Sequence, residues 1–283
     1  MFKKKLFVFA GVIIMLCCIC VGISHFMEQK RMEQVQQIEQ GDVLIFGKSD
    51  SFDGQWLVLD AENTNMGTDG MFLVTENLLG SQDGDTLLFR DIGDVSVSFS
   101  DRGDAYAEAH PGTTDYQGSD IWKWCQSFSE NNLSEKEQNA LIATEKSDDA
   151  ISIQAAISMN GKTPSVDFDA AENVLDGDKI FLLSVEEITN KNYGFEENDS
   201  RVATYNGEAA GYYLRSPHSS SFPLDVGFVF ANGAVMDFPV NARSMFSMKT
   251  YARVACNLDK SRIKKVELVS EADGHRVWDI SFK

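Results

Sequence analysis

Tyr213, Arg215, Ser216, Asp225 and Asn232 fall in one short stretch and offer a phenol, a guanidinium, a hydroxyl, a carboxylate and an amide. Such a set recognises a polar ligand through hydrogen bonds. It places no activated nucleophile beside a base, so it predicts binding rather than covalent catalysis, and no catalytic residue is assigned. Ser216, His218 and Ser219 are near neighbours, but groups so close on an extended segment do not converge on one proton, and no strand-turn-helix elbow surrounds them. His25, His110, His218 and His275 are scattered, without a metal-ligand spacing such as His-Glu-x-x-His.

An arginine in this setting also has a structural demand. A buried guanidinium left unpaired costs several kcal/mol, so Arg215, and Arg253 farther on, call for carboxylates and carbonyls. Asp225, Asp237 and Glu208 are the expected partners. Other acids are explained by backbone capping. Ser184-x-x-Glu187 and Ser134-x-x-Glu137 are capping boxes that open helices 185–190 and 135–143, which accounts for the pair Glu186 and Glu187. Ser119 opens a third helix, 120–129, with Ile121, Trp122, Cys125 and Phe128 on one buried face; Trp122 is thereby structural, and Cys125 is core rather than nucleophile.

Calcium is the one cofactor with candidate ligands: Asp148, Asp149, Asp167, Asp169, Asp176 and Asp178 supply oxygens, although no spacing selects a set. The acidic connector after Asp60 fails the calcium-loop rule, because its sixth and twelfth positions are Asn65 and Met71. Arg102-Gly103-Asp104 matches an adhesion triplet, a pattern that arises by chance in an Asp- and Gly-rich segment.

The elements that must hold these groups are strands. Blocks 211–217, 225–235 and 251–259 alternate apolar and polar residues, with Asn232-Gly233 at a hairpin tip, and predict one compact antiparallel sheet over 211–259. Asp42–Phe46, Gln55–Asp60 and Met71–Thr75 predict three entry strands. Residues 262–269 and 275–282 alternate around a turn and predict an added hairpin within 260–283.

Three of these blocks, Gly211-Tyr-Tyr-Leu-Arg-Ser-Pro217, the Asn-Gly hairpin and Arg253-x-Ala-x-Asn257-Leu, resemble the bacterial domain of unknown function 6273 family. Ile121-Trp-Lys-Trp124 and Lys179-Ile-Phe-Leu-Leu-Ser184 fit it as well, so the resemblance covers roughly 41–259. Arg253 and Asn257, within its last motif, are read as structural. The family in turn is similar to the C-type-lectin-like fold of formylglycine-generating enzymes and surface-binding modules. That implies an α+β mixed fold with small antiparallel sheets and two or three short helices. The catalytic members of that fold depend on active-site cysteines, and only Cys256 lies in the corresponding region here.

The N-terminus sets location. Met1–Lys5 carries three lysines and Leu6–Ile23 is an unbroken apolar run, extended to Phe26 at the interface. No small-x-small cleavage signature follows it, so an uncleaved signal anchor over 6–26 is expected, with 1–5 cytoplasmic and the rest extracytoplasmic. Residues 27–40 read as a helical stalk, 41–259 as the domain and 260–283 as the hairpin extension. A net charge of −18 repels phosphate backbones, so nucleic acid is excluded as a partner. The expectation is a membrane-anchored, non-catalytic binding or scaffold protein, its partners the cell membrane through Leu6–Phe26 and a cell-wall glycan, peptide or surface protein. The alternative is an extracytoplasmic enzyme, or a subunit of a cell-envelope modifying system, on a formylglycine-generating-enzyme-like fold.

Overall fold

The computed structural model describes residues 26–62, 70–80, 86–90, 114–155, 163–169, 174–219, 224–240, 249–272 and 275–283. The expected anchor over 6–26, apart from Phe26, the Arg102-Gly103-Asp104 triplet, His110 and most of the acidic connector after Asp60 lie outside them.

The largest unit is a seven-stranded mixed sheet. Its strands are β1 (Val43–Ile45), β2 (Gln55–Asp60), β3 (Met71–Thr75), β8 (Phe181–Leu182), β14 (Val254–Leu258), β15 (Ile263–Ala272) and β16 (His275–Phe282), in the order β15-β16-β1-β2-β3-β14-β8. β16 runs parallel to β1, Leu44 opposite Trp278, and the other neighbours are antiparallel. A second sheet has the order β12-β11-β10-β13, built from β10 (Glu208–Pro217), β11 (Asp225–Val229), β12 (Val235–Pro239) and β13 (Thr250–Tyr251), with β9 (Ala203–Tyr205) pairing to the start of β10. Two small ladders, β4 (Thr144–Lys146) with β7 (Leu175–Asp178) and β5 (Ile151–Gln154) with β6 (Ser165–Phe168), complete the strands.

This corrects the expected fold class. The chain is mostly β with a large mixed sheet, in place of an α+β lectin-like arrangement of small antiparallel sheets. The membrane-crossing helix expected ahead of the domain is not found: among the described residues no helix is long and apolar enough to span a bilayer, and Leu6–Ile23 lies outside them. The stretch 211–259 is also not one sheet. Its first two blocks pair within the second sheet, whereas β14 lies inside the seven-stranded sheet between β3 and β8. The physical reason is the choice of neighbours: β14, like β11, is buried along its whole length, and its hydrogen-bond partners, β3 and β8, are set by packing across the chain rather than by local alternation.

The helices are α1 (26–35), α2 (Asp120–Asn132), α3 (Glu135–Ala140), α4 (Val185–Ile188) and α5 (Asn198–Arg201). Ser119 caps α2 by accepting from the Trp122 amide, and α3 and α4 both open on complete capping boxes. α3 stops at Ala140, short of the expected 143, because the next residues pair with β14: Leu141 bridges Leu258, and the Ile142 amide donates to the Asn257 carbonyl at 2.8 Å. α1 is no free stalk. Val35 and Ile38 are buried, and Arg31 donates to the Ile263 and Lys260 carbonyls.

One apolar cluster runs through both sheets and α2. Trp56 stacks on Phe46 at 5.0 Å and meets Phe128 of α2 edge-on at 6.4 Å, while Phe228 stacks on Phe238 at 4.4 Å within the second sheet.

Candidate functional site

The residues of the anticipated ligand stretch do not share one surface. Tyr213, Arg215, Ser216 and Asp225 are buried, and Asn232 is exposed at the β11–β12 turn, where its side chain accepts from the Ala234 amide at 3.1 Å. Tyr213 donates its hydroxyl to the Pro239 carbonyl at 2.9 Å, and Ser216 Oγ accepts from the Val185 amide at 2.9 Å.

Arg215 is fully enclosed. Its Nη1 donates to Glu187 Oε2 at 2.6 Å and to the Leu182 carbonyl at 2.6 Å; Nη2 donates to Glu187 Oε1 at 2.9 Å and to Asp148. Lys146 closes the group, donating to Glu187 Oε1 at 3.0 Å and to Asp148. The expected partners of Arg215 were Asp225, Asp237 and Glu208; the observed ones are Glu187 and Asp148. Glu187 was explained as a capping residue, and it does cap: its Oε2 accepts from the Ser184 amide at 2.9 Å. The same carboxylate serves the helix and the guanidinium at once.

Two cations and two buried carboxylates therefore pair inside the protein, as buried charge requires, with the half-exposed Glu186 at their rim, 4.0 Å from Lys146. Burial alone would raise the Glu187 carboxyl, but the Arg215 guanidinium and the Lys146 ammonium hold it at about 2. Burial likewise opposes the charge on Lys146 and Arg215, and the carboxylates of Glu187 and Asp148 overcome it, raising both. Lys146 is thus held protonated and Glu187 ionised, while burial and the neighbouring Asp148 raise the carboxyl of Glu186 at the rim against the pull of Lys146. The cluster is a fastening between α4, β4 and β10.

The other structural residues have similar duties. Trp122 donates its indole nitrogen to Asp178 at 2.7 Å, Asn257 donates to Thr144 Oγ1 at 2.8 Å, and Arg253 donates from Nε to the Thr75 carbonyl at 3.0 Å with the rings of Tyr212 and Phe195 about its guanidinium. Both Cys125 and Cys256 are buried and form no disulfide. Burial pushes the Cys125 thiol up to about 12 and raises that of Cys256 as well, so neither supplies a thiolate. Of the aspartates considered for calcium, Asp148 is tied to Arg215, Asp178 accepts from Trp122, Gln126 and Gln117, and Asp167 accepts from Ser152 and Ser165. Among the described residues no group of three or more His, Cys, Asp or Glu could hold a metal ion.

Open surface for a ligand exists elsewhere. A cavity of about 1000 Å³ is bounded by the β1–β2 loop, the segment after β3 and the β9–β10 turn; a second, of about 290 Å³, lies against α2, and the two share Ser51, Leu79 and Gly80 in their walls. Together they form one groove with Tyr205 on one side and Trp124 on the other. Its polar groups hold one another in place. Thr204 Oγ1 donates to Asn77 Oδ1 at 3.0 Å, Asn77 Nδ2 donates to Asp53 Oδ2 at 3.0 Å, and Ser51 Oγ donates to Asn132 Oδ1 at 2.9 Å. The Tyr205 ring is braced by Tyr251, stacked at 4.3 Å, and Gly80 permits its approach, since a Cβ there would lie 3.2 Å from the ring. Sequence reasoning missed this groove. Its walls come from four separated segments, and the one local signal was Asn206-Gly207, a tight turn with φ of 53° and 83°.

Residues 83–260 match the family model described as Domain of unknown function (DUF6273). No curated protein matches, and no solved structure matches.

Proposed function

The chain belongs to the DUF6273 family, and from that premise we propose that it is a binding module displayed outside the cell, attached to the membrane through Leu6–Phe26, which takes a neutral, hydroxyl- or amide-rich ligand such as a cell-wall glycan in the groove between Trp124 and Tyr205. The observation that carries this reading is the chain of hydrogen bonds Thr204, Asn77, Asp53, which presets donors and acceptors beside an aromatic face. Preset polar groups lower the ordering cost of binding, and an aromatic ring stacks on the apolar face of a sugar or on a peptide plane. Asp50 and Asp53 in the wall, against the single cation Lys48, disfavour phosphorylated ligands. Calcium enters as a test arm only.

The test is calorimetric titration of the full chain in detergent with cell-wall glycan fragments and with peptides, each with and without calcium. Glycan binding that weakens about tenfold or more in Tyr205→Ala and in Asn77→Ala is expected, given the roughly 1–3 kcal/mol that stacking and hydrogen-bond losses carry. Binding that both variants leave intact would remove the groove from the account.

A further inference from the structure

We infer that Asn206 is a site of spontaneous deamidation built into the wall of the groove, whereas Asn232, the same residue type before the same neighbour, is protected by the fold. The inference is independent of what the groove binds. The sequence holds three Asn-Gly steps, 160–161, 206–207 and 232–233, and the first lies outside the described residues. Glycine hinders least as the following residue, because it puts no Cβ beside the amide nitrogen that must attack the asparagine side chain.

The two described steps sit in different turns. Tyr205 pairs with Glu208, and Asn206 and Gly207 have φ of 53° and 83°, so they are the two central residues of a mirror-image tight turn. The bond that closes such a turn runs to the amide of its fourth residue, so the Gly207 N–H is left outside it. Among the described residues no hydrogen bond holds the Asn206 side chain or the Gly207 amide, and nothing stands within 4 Å of a Cβ at Gly207. Gly233, by contrast, is the fourth residue of its turn: its amide donates to the Phe230 carbonyl at 2.8 Å, and the Asn232 side chain accepts from the Ala234 amide at 3.1 Å. Both asparagines are exposed, so solvent access does not separate them. The nucleophile does, since the Gly207 amide is free to turn toward its neighbour and the Gly233 amide is engaged. Attack also requires the chain to leave its turn conformation. A hairpin of three pairs whose tip touches nothing opens at low cost, whereas β11–β12 pairs over five residues and its tip is wedged on the Asn198 carbonyl of α5.

The reaction balances with water alone. The Gly207 nitrogen, its proton taken by hydroxide, bonds to Asn206 Cγ and expels the side-chain nitrogen, which takes up a proton and leaves as ammonia. A five-membered succinimide remains, and water opens it at either carbonyl to give an aspartate or an isoaspartate. Either product puts a carboxylate into a cavity wall that already holds Asp50 and Asp53 against Lys48. Isoaspartate also routes the backbone through the side-chain carbon, which lengthens the two-residue turn that keeps Tyr205 in register beside its stacked partner Tyr251.

The deciding experiment incubates the full chain in detergent at pH 8 and follows both steps by peptide mass mapping, with electron-transfer fragmentation to separate aspartate from isoaspartate. Native Asn206 is expected to convert about tenfold or more faster than native Asn232. In denaturant, where only the shared Asn-Gly sequence remains, the two rates are expected to draw within about twofold of each other. Equal native rates, or faster conversion of Asn232, would overturn the inference. So would a tenfold ratio that persists in denaturant, since the fold would then not be its cause. A native chain in which neither step converts, while both convert after unfolding, overturns it as well.

Discussion

Arg215 and Glu187 face each other as a closed fork, Nη1 donating to Oε2 at 2.6 Å and Nη2 to Oε1 at 2.9 Å. Arg215 lies on a strand of the second sheet and Glu187 on the short helix α4 that follows the edge strand β8 of the first. The pair therefore ties the two sheets together at a point without solvent, and Asp148 and Lys146 complete its charge balance.

Removing one partner leaves the other charged and dry. Arg215→Ala and Glu187→Gln are each expected to lower the unfolding free energy by about 3–5 kcal/mol, against less than about 1 kcal/mol for Lys123→Ala, whose pair with Asp120 is exposed. Denaturant titration followed by tryptophan fluorescence measures both. Similar small losses at the two sites would refute the fastening role.

The same pair sets an acid limit. The Glu187 carboxyl sits at about 2 in the folded chain against an ordinary 4.5. A carboxyl depressed in this way stabilises fully above its unfolded value, and its contribution drains away as pH falls from about 4.5 toward 2. The melting temperature should fall across that window, and the fall should be shallower in Glu187→Gln, which starts lower but has no carboxyl to protonate. Parallel pH profiles for the two proteins would contradict the linkage.

Cys125 and Cys256 should resist alkylation. Both are buried and their thiols are raised, so at pH 8 the reactive thiolate is scarce and out of reach. Iodoacetamide treatment followed by peptide mass mapping is expected to leave both unmodified in the native chain and to modify both after unfolding. Native modification of either would reopen the cysteine chemistry discounted above.

What the sequence disclosed is what neighbouring residues decide. Ser119, Ser134 and Ser184 could be read as caps because a capping box closes within one turn. The β11–β12 hairpin could be read because Asn232-Gly233 is local chemistry. The partners of Arg215 could not, since Glu187 stands 28 residues away and Asp148 stands 67 away. Glu187 was hidden further by having a sufficient local explanation. Val254–Leu258 was placed in the wrong sheet because a short apolar run fixes burial, and strand neighbours are chosen by packing across the whole chain. The groove was illegible for the same reason: Ser51, Asn77, Tyr205 and Trp124 meet only once four segments have folded.

The hairpin tip gives the sharpest test of local geometry. Gly233 has φ of 76°, and a Cβ there would lie 1.8 Å from the Asn198 carbonyl oxygen, a backbone atom at the start of α5 that no side-chain rotation can move. Gly207 has φ of 83° with nothing within 4 Å of such a Cβ. Gly207→Ala therefore measures conformational strain alone, about 1 kcal/mol, and Gly233→Ala adds the clash, for a total of about 2–4 kcal/mol. The difference between the two unfolding free energies isolates the contact between the tip and α5. If the two variants lose the same stability, the turn does not rest on Asn198.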